Sequence, residues 1–234
     1  MEYLKTKDIL EIFKEKYKNK DFRTIGNNVQ QSNTIEIQNA HFIADKDWIV
    51  REPNYNYFKR ELEWYLSQSL NVNDIPGGAP TMWKACADKY GYVNSNYGWV
   101  IFNPQNEYQY DSCKDRLIAD PHTREAIMIY NRPSMQNECC LNGMHDFMCC
   151  QNVQYFINER NENLYLDCIV NFRSCDAVFG YDNDYLFQKY VLNRLTRDIK
   201  HVGNTILLPG IIYWNAGSLH VYERHFKFLE DAKD

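Results

Sequence analysis

An α+β fold is what this sequence predicts, and three observations predict it. Helical spacing and strand alternation both occur along the chain. A polar-tipped hairpin interrupts two aliphatic and aromatic runs in the second half. No linker, internal repeat or low-complexity tract divides the 234 residues, so residues 1–234 are expected to form one domain.

The elements can be taken in order. Residues 6–18 read as an amphipathic helix that Thr6 can cap, with Ile9, Phe13 and Tyr17 on one face. A polar loop from Arg23 to Asn33 leads into the alternating strand 34–38. A helix over 54–67 follows, placing Glu61 on the same face as Trp64 and Tyr65. The turn cluster 74–80 lacks the Gly-Lys-Ser/Thr of a phosphate loop and opens a helix at Thr81. Helical spacing over 107–119 stops at Asp120-Pro121, and 126–130 is a short apolar strand. Segments 147–157 and 164–172 make the hairpin, 185–199 a helix with Asp182 as a plausible cap, and 205–214 a last strand. His220 and Tyr222 then fall on a polar edge of a terminal helix.

Composition bounds the function. A hydrophobic fraction of 44%, with 18 Tyr, 12 Phe and 5 Trp, is ample for a sizeable core. A formal charge of -5 argues against a nucleic-acid surface driven by bulk charge, while leaving room for a basic pocket that takes a small anion. No apolar run reaches the roughly 18 residues of a membrane span, and the charged start (Glu2, Lys5, Lys7, Asp8) is not a signal peptide; a cytoplasmic protein is expected. Eight cysteines without a C-x-x-C pair suit neither a zinc ribbon nor a secreted disulfide framework, so reduced thiols and no metal are expected. His145 with Cys149 and Cys150 is the one crowded candidate for a metal.

Some residues stand out chemically. A cysteine in a strand is most often inert packing, but Cys149 gains a neighbouring cation in Arg173 if 147–157 and 164–172 pair. Alternation sends Cys150 to the other face. Arg173-Ser174 offers a forked guanidinium and a hydroxyl, a match for a phosphate monoester that a surface salt bridge would explain equally well. Glu61 on an aromatic face needs a partner or a role, although most helical glutamates end in salt bridges. Asp184 is a first-turn helical acid that the helix dipole alone could favour.

Three blocks join most of these residues into a pattern: Gly143 to Tyr155, Asn171 to Asp176, and Phe179 to Tyr185. Together they resemble the thymidylate synthase superfamily. Arg60-Glu61-Leu62-Glu63-Trp64, Asn94 to Trp99, Arg132 to Gln136 and Gly217 to Tyr222 look like its deoxycytidylate hydroxymethylase branch, known from large DNA bacteriophages. The resemblance runs from about residue 34 to 229.

It implies a mixed sheet with flanking helices and a homodimer formed through the sheets. It makes Cys149 the nucleophile, Glu61 the residue that positions water, and Asp184 the base reader. Synthases carry asparagine at the position of Asp184, whose amide meets uracil. A carboxyl there predicts cytosine, because it can donate to N3 and accept from the 4-amino group. Arg173, Ser174 and Arg23 would bind the nucleotide phosphate, and His220 and Tyr222 the sugar hydroxyl. Asp176, Trp83 and Gly180 would border the folate, and Tyr97 would join the hydrogen-bond network. Arg124 would reach the partner's phosphate across the dimer, although Glu125 replaces the second arginine of the family's pair.

The implied reaction adds the Cys149 thiolate to C6 of dCMP and transfers a one-carbon unit from 5,10-methylenetetrahydrofolate to C5. Water then adds to the exocyclic methylene, giving 5-hydroxymethyl-dCMP and tetrahydrofolate. Alternatives are a dUMP or CMP hydroxymethylase, a C5 methyltransferase, or a silent nucleotide-binding scaffold in a phage nucleotide-synthesis complex. The short C-terminus after Glu230 leaves little chain to close over folate.

Overall fold

A computed structural model describes residues 3–26 and 31–232. Among these, the strands are β1 (Arg23–Gly26), β2 (Gln31–Ile43), β3 (Ile127–Ile129), β4 (Cys150–Arg160), β5 (Asn163–Phe172), β6 (Cys175–Asp176), β7 (His201–Val202) and β8 (Thr205–Tyr222). The helices are α1 (Thr6–Lys18), α2 (Tyr55–Ser67), α3 (Thr81–Cys86), α4 (Tyr97–Phe102), α5 (Gln109–Ala119), α6 (Met135–Glu138), α7 (Tyr181–Ile199) and α8 (Lys227–Asp231).

The strands form a mixed sheet in the order β1-β2-β8-β5-β4-β3, with β6 and β7 attached to β8. β8 runs parallel to β5 and antiparallel to β2, which makes it the axis of the sheet. The core gathers on one face, where Val153, Tyr155, Cys168, Val170 and Trp214 meet Phe187, Val191 and Leu195 of α7. The α+β class with a mixed sheet and flanking helices is therefore what the chain adopts.

Several boundaries depart from expectation for physical reasons. β8 extends eight residues past Trp214, so His220 and Tyr222 are strand residues and not on a helix. Arg23 lies on β1, paired with Thr34, and not in a loop; residues 27–30 of the expected loop fall outside the described residues. Lys5, not Thr6, is the N-cap of α1, because its backbone N–H takes Asp8 Oδ2 at 2.7 Å. α7 begins four residues early with Gly180 as its cap, which puts Asp182 inside the first turn. The hairpin tip is tighter than read, with Asn161 and Glu162 both at positive φ between β4 and β5. α2 is capped by Asn54, whose side chain accepts from Tyr57 N at 3.0 Å.

Candidate active site

A cleft of about 720 Å³ opens between α2, α3 and the start of α7, with the segment leading into β4 at its floor. It is lined by Glu61, Trp83, Tyr97, Cys149, Asp176, Gly180 and Asp184, seven residues singled out from sequence.

Glu61 is only 3% exposed, on the inward face of α2. Its Oε1 accepts from Trp83 Nε1 at 2.7 Å and from the Tyr57 hydroxyl at 2.5 Å. Oε2 has no partner among the described residues. Burial pushes the carboxyl above its ordinary range, the two hydrogen bonds oppose this, and Asp182 adds to the rise. Such an oxygen is a receptor for a donor that the cleft can bring, such as water or a ligand N–H.

Cys149 is half-buried just before β4, while Cys150 beside it is sealed in the core. Arg173 follows β5 and curls back over this segment. Its Nε donates to Met148 O at 2.9 Å, it also donates to Phe147 O, and its Nη2 stands 3.6 Å from Cys149 Sγ. Burial pushes the thiol up to about 11; Arg173 works against that, and Asp184 and Asp146 reinforce it. The resting sulfur is thus a protonated thiol with one cation poised beside it.

Asp184 sits in the first turn of α7, half-buried and open to the cleft. Burial and then the Glu61 carboxylate push it well above the carboxylate range, with Tyr97 opposing. Two neighbouring acids that share one cleft cannot both ionise cheaply. Tyr97 reaches this point from the first position of α4, stacked on Tyr65 at 5.4 Å between ring centres. That stacking needs Gly98, since a Cβ there would lie 1.8 Å from the Tyr65 carbonyl oxygen.

The remaining expected residues lie outside this lining. Ser174 follows Arg173 and makes no side-chain hydrogen bond among the described residues. His220 is 7% exposed on β8, its Nδ1 at 3.3 Å from Ser218 Oγ, and burial lowers its pKa. Tyr222 packs against it with ring centres 4.7 Å apart. Arg23 pairs with Glu36 in a separate hollow. Arg124 is exposed at the far edge, beside β3, and Glu125 is taken by Arg116 at 2.6 Å.

The comparisons with known proteins bear on this arrangement. A family model described as thymidylate synthase matches residues 4–232. The chain belongs to the thymidylate synthase family. It is 48% identical over 198 residues to the deoxycytidylate 5-hydroxymethyltransferase of Enterobacteria phage T4, spanning 84% of this chain and 79% of that protein; the phage T2 enzyme matches equally. Identity to the thymidylate synthase of Francisella tularensis subsp. holarctica (strain OSU18) is 26% over 180 residues, 73% of this chain and 62% of that one. The family relationship agrees with the transferase chemistry expected from the sequence motifs.

Sequence reasoning missed part of the cleft. Arg51, Arg60, Ser95, Asp146, Asp182, Arg224 and His225 also line it. Arg51 stacks over Phe179 at 4.3 Å, and Asp182, 3% exposed, is pushed up to about 6 by burial. Asp182 and Asn183 directly precede Asp184 in the quoted block, so their neighbourhood was visible even though their role was not. Among the described residues no group of three or more His, Cys, Asp or Glu could hold a metal, and no helix is long and apolar enough to cross a membrane.

Proposed function

We propose that this chain transfers a hydroxymethyl group to C5 of dCMP, using 5,10-methylenetetrahydrofolate as the one-carbon donor. The observation that carries the base assignment is Asp184, an acid held toward its neutral form in the cleft that also holds Cys149. A neutral carboxyl presents one donor and one acceptor, the complement of cytosine N3 and its 4-amino group, and mismatches uracil at both. The 48% identity to phage deoxycytidylate 5-hydroxymethyltransferases supports the same reading.

The folate fits the residues present. Met82, Trp83 and Phe179 give the outer cleft flat apolar walls, and Asp176 adds an acceptor for ring N–H groups. Bound there, the folate supplies a carbon at the oxidation level of formaldehyde. Cys149 adds to C6 as the thiolate that Arg173 stabilises, and C5 becomes the nucleophile. The orphaned Oε2 of Glu61 holds and deprotonates the water that completes the hydroxymethyl group. Arg173 and Ser174 take the phosphate, with Arg23 beyond them, while His220 and Tyr222 take the sugar edge.

A sheet-to-sheet homodimer, with Arg124 directed to the partner's phosphate, completes the reading, as does assembly of one domain over 1–234. The test is mass spectrometry of the products formed with methylenetetrahydrofolate and either dCMP or dUMP. A gain of about 30 Da on dCMP, lost in Cys149→Ser, supports hydroxymethyl transfer through a covalent adduct. Tight dCMP binding without product from either base would leave a nucleotide-binding scaffold. A gain of a methyl group instead would return the chain to synthase-like chemistry.

A further inference from the structure

We propose that Asp146 is a positioning residue for the reaction at Cys149: it locks the segment that carries the thiol onto the turn that carries Tyr97. Asp146 is 7% exposed and faces the cleft together with Ser95. Its Oδ2 accepts from the backbone N–H of Asn94 at 2.7 Å and of Ser95 at 2.8 Å, and its Oδ1 accepts from Ser95 Oγ at 2.6 Å. Cys149 lies three residues after the carboxylate, and Tyr97 two residues after Ser95. Residues 144–149 belong to no strand, so no ladder fixes them. Arg173 holds the carbonyls of Phe147 and Met148 from one side, and Asp146 clamps the segment from the other.

Both backbone N–H groups meet one oxygen, Oδ2, while Oδ1 takes only the Ser95 hydroxyl. An asparagine can keep the two N–H bonds on its carbonyl and donate its amide to that hydroxyl, so it removes the charge and weakens the bonds without stranding a donor. A purely structural clamp would end there, but the charge has a second effect. Cys149 faces Arg173 from the end of β5, Asp184 from α7, Cys86 from α3, Tyr97 from α4 and Tyr222 from β8. Of these, Arg173 alone favours the thiolate. Asp146 itself faces Arg173, Cys86, Cys139 and Tyr65 besides its three donors. The carboxylate therefore sets the thiol's geometry, and its charge adds to the burial and the Asp184 carboxyl that already push the thiol up.

The inference rests on Cys149 being the nucleophile and on nothing else in the proposed function. The experiment compares wild type, Asp146→Asn and Ser95→Ala by two readouts. One is the pH dependence of Cys149 alkylation by iodoacetamide, followed at the peptide level; the other is kcat and KM for dCMP. Asp146→Asn weakens the charge-assisted bonds of the clamp, so kcat should fall about tenfold with KM changing little, and the alkylation midpoint should move to lower pH. Ser95→Ala loosens the clamp but keeps the charge, so kcat falls about tenfold and the midpoint does not move down. Equal downward shifts in both variants would overturn the charge effect. An unchanged kcat in Ser95→Ala would overturn the clamp, and that arm stands even if Asp146→Asn fails to fold. Alkylation needs no nucleotide, so a wild type inactive on dCMP would sink the proposed function and leave the alkylation arm readable; there, a plateau alkylation rate in Ser95→Ala equal to that of wild type would overturn the clamp.

Discussion

Two carboxylates in this molecule are equally buried and opposite in character. Asp167, on β5 at the far end of the sheet, is 2% exposed, and Glu61 in the cleft is 3% exposed. Asp167 is saturated: it accepts from Arg160 Nη1 at 2.6 Å and Nη2 at 2.9 Å, from Asn158 at 2.8 Å and from Ile211 N at 2.6 Å. Glu61 has two donors on one oxygen and none on the other, and no cation pairs with it among the described residues. Burial alone does not mark a functional acid. What sets Glu61 apart is an unfilled acceptor inside a cleft, whose desolvation the fold tolerates without using it.

Substitution tells the two acids apart. Asp184→Asn has the largest expected effect, since it inverts the polar pattern offered to the base. The ratio of kcat/KM for dCMP over dUMP should fall by several powers of ten, and an unchanged ratio would remove Asp184 from base reading. Glu61→Gln keeps the Trp83 and Tyr57 hydrogen bonds through Oε1 but loses the basic oxygen. Product formation from dCMP should drop about 10²–10⁴-fold while the urea midpoint holds or rises. A fallen midpoint would make Glu61 a structural acid like Asp167. The mirror experiment is Asp167→Asn, which strands part of Arg160 and Ile211 N. Chemical denaturation should show a loss of about 2–4 kcal/mol, tempered by the one-third exposure of Arg160, with activity per folded molecule retained.

The smallest effect concerns pH. Asp182 is lifted from 3.8 to about 6 in the folded state, so the native protein binds more protons than the unfolded chain between those values. Its contribution to stability is present below that window and is lost as pH rises through it. The unfolding free energy of Asp182→Asn, taken from urea curves, should accordingly fall less than that of wild type between pH 4 and 6, a difference of about 1–3 kcal/mol. Parallel curves for the two proteins would show that Asp182 ionises freely.

Cys149, Glu61 and Asp184 were legible because each sits in a local block whose residue types and spacing are distinctive. The helices α2, α5 and α7 were legible from their stripes, because a buried face repeats every three to four residues. The length of β8 was not. Small and polar residues 215–218 follow Trp214, and only pairing with β2 and β5 keeps them extended. Placing His220 on a helix followed from that early stop. Asp146 left no signal either, since its partners Asn94 and Ser95 are some fifty residues away and only the fold brings them together. Arg23 looked like a loop cation because its strand is four residues long and mostly exposed.

Gly98 has a consequence for how such a protein can change over generations. Asp184 lies on a first helical turn, open to the cleft, where a single substitution can alter what it presents without moving backbone. Gly98 is the reverse case, with the Tyr65 carbonyl 1.8 Å from where any side chain would begin. Every alternative residue there would wedge α4 off α2 and separate Tyr97 from the helix that carries Glu61. Descendants of this chain are free to vary at one position, and are confined to one amino acid at the other.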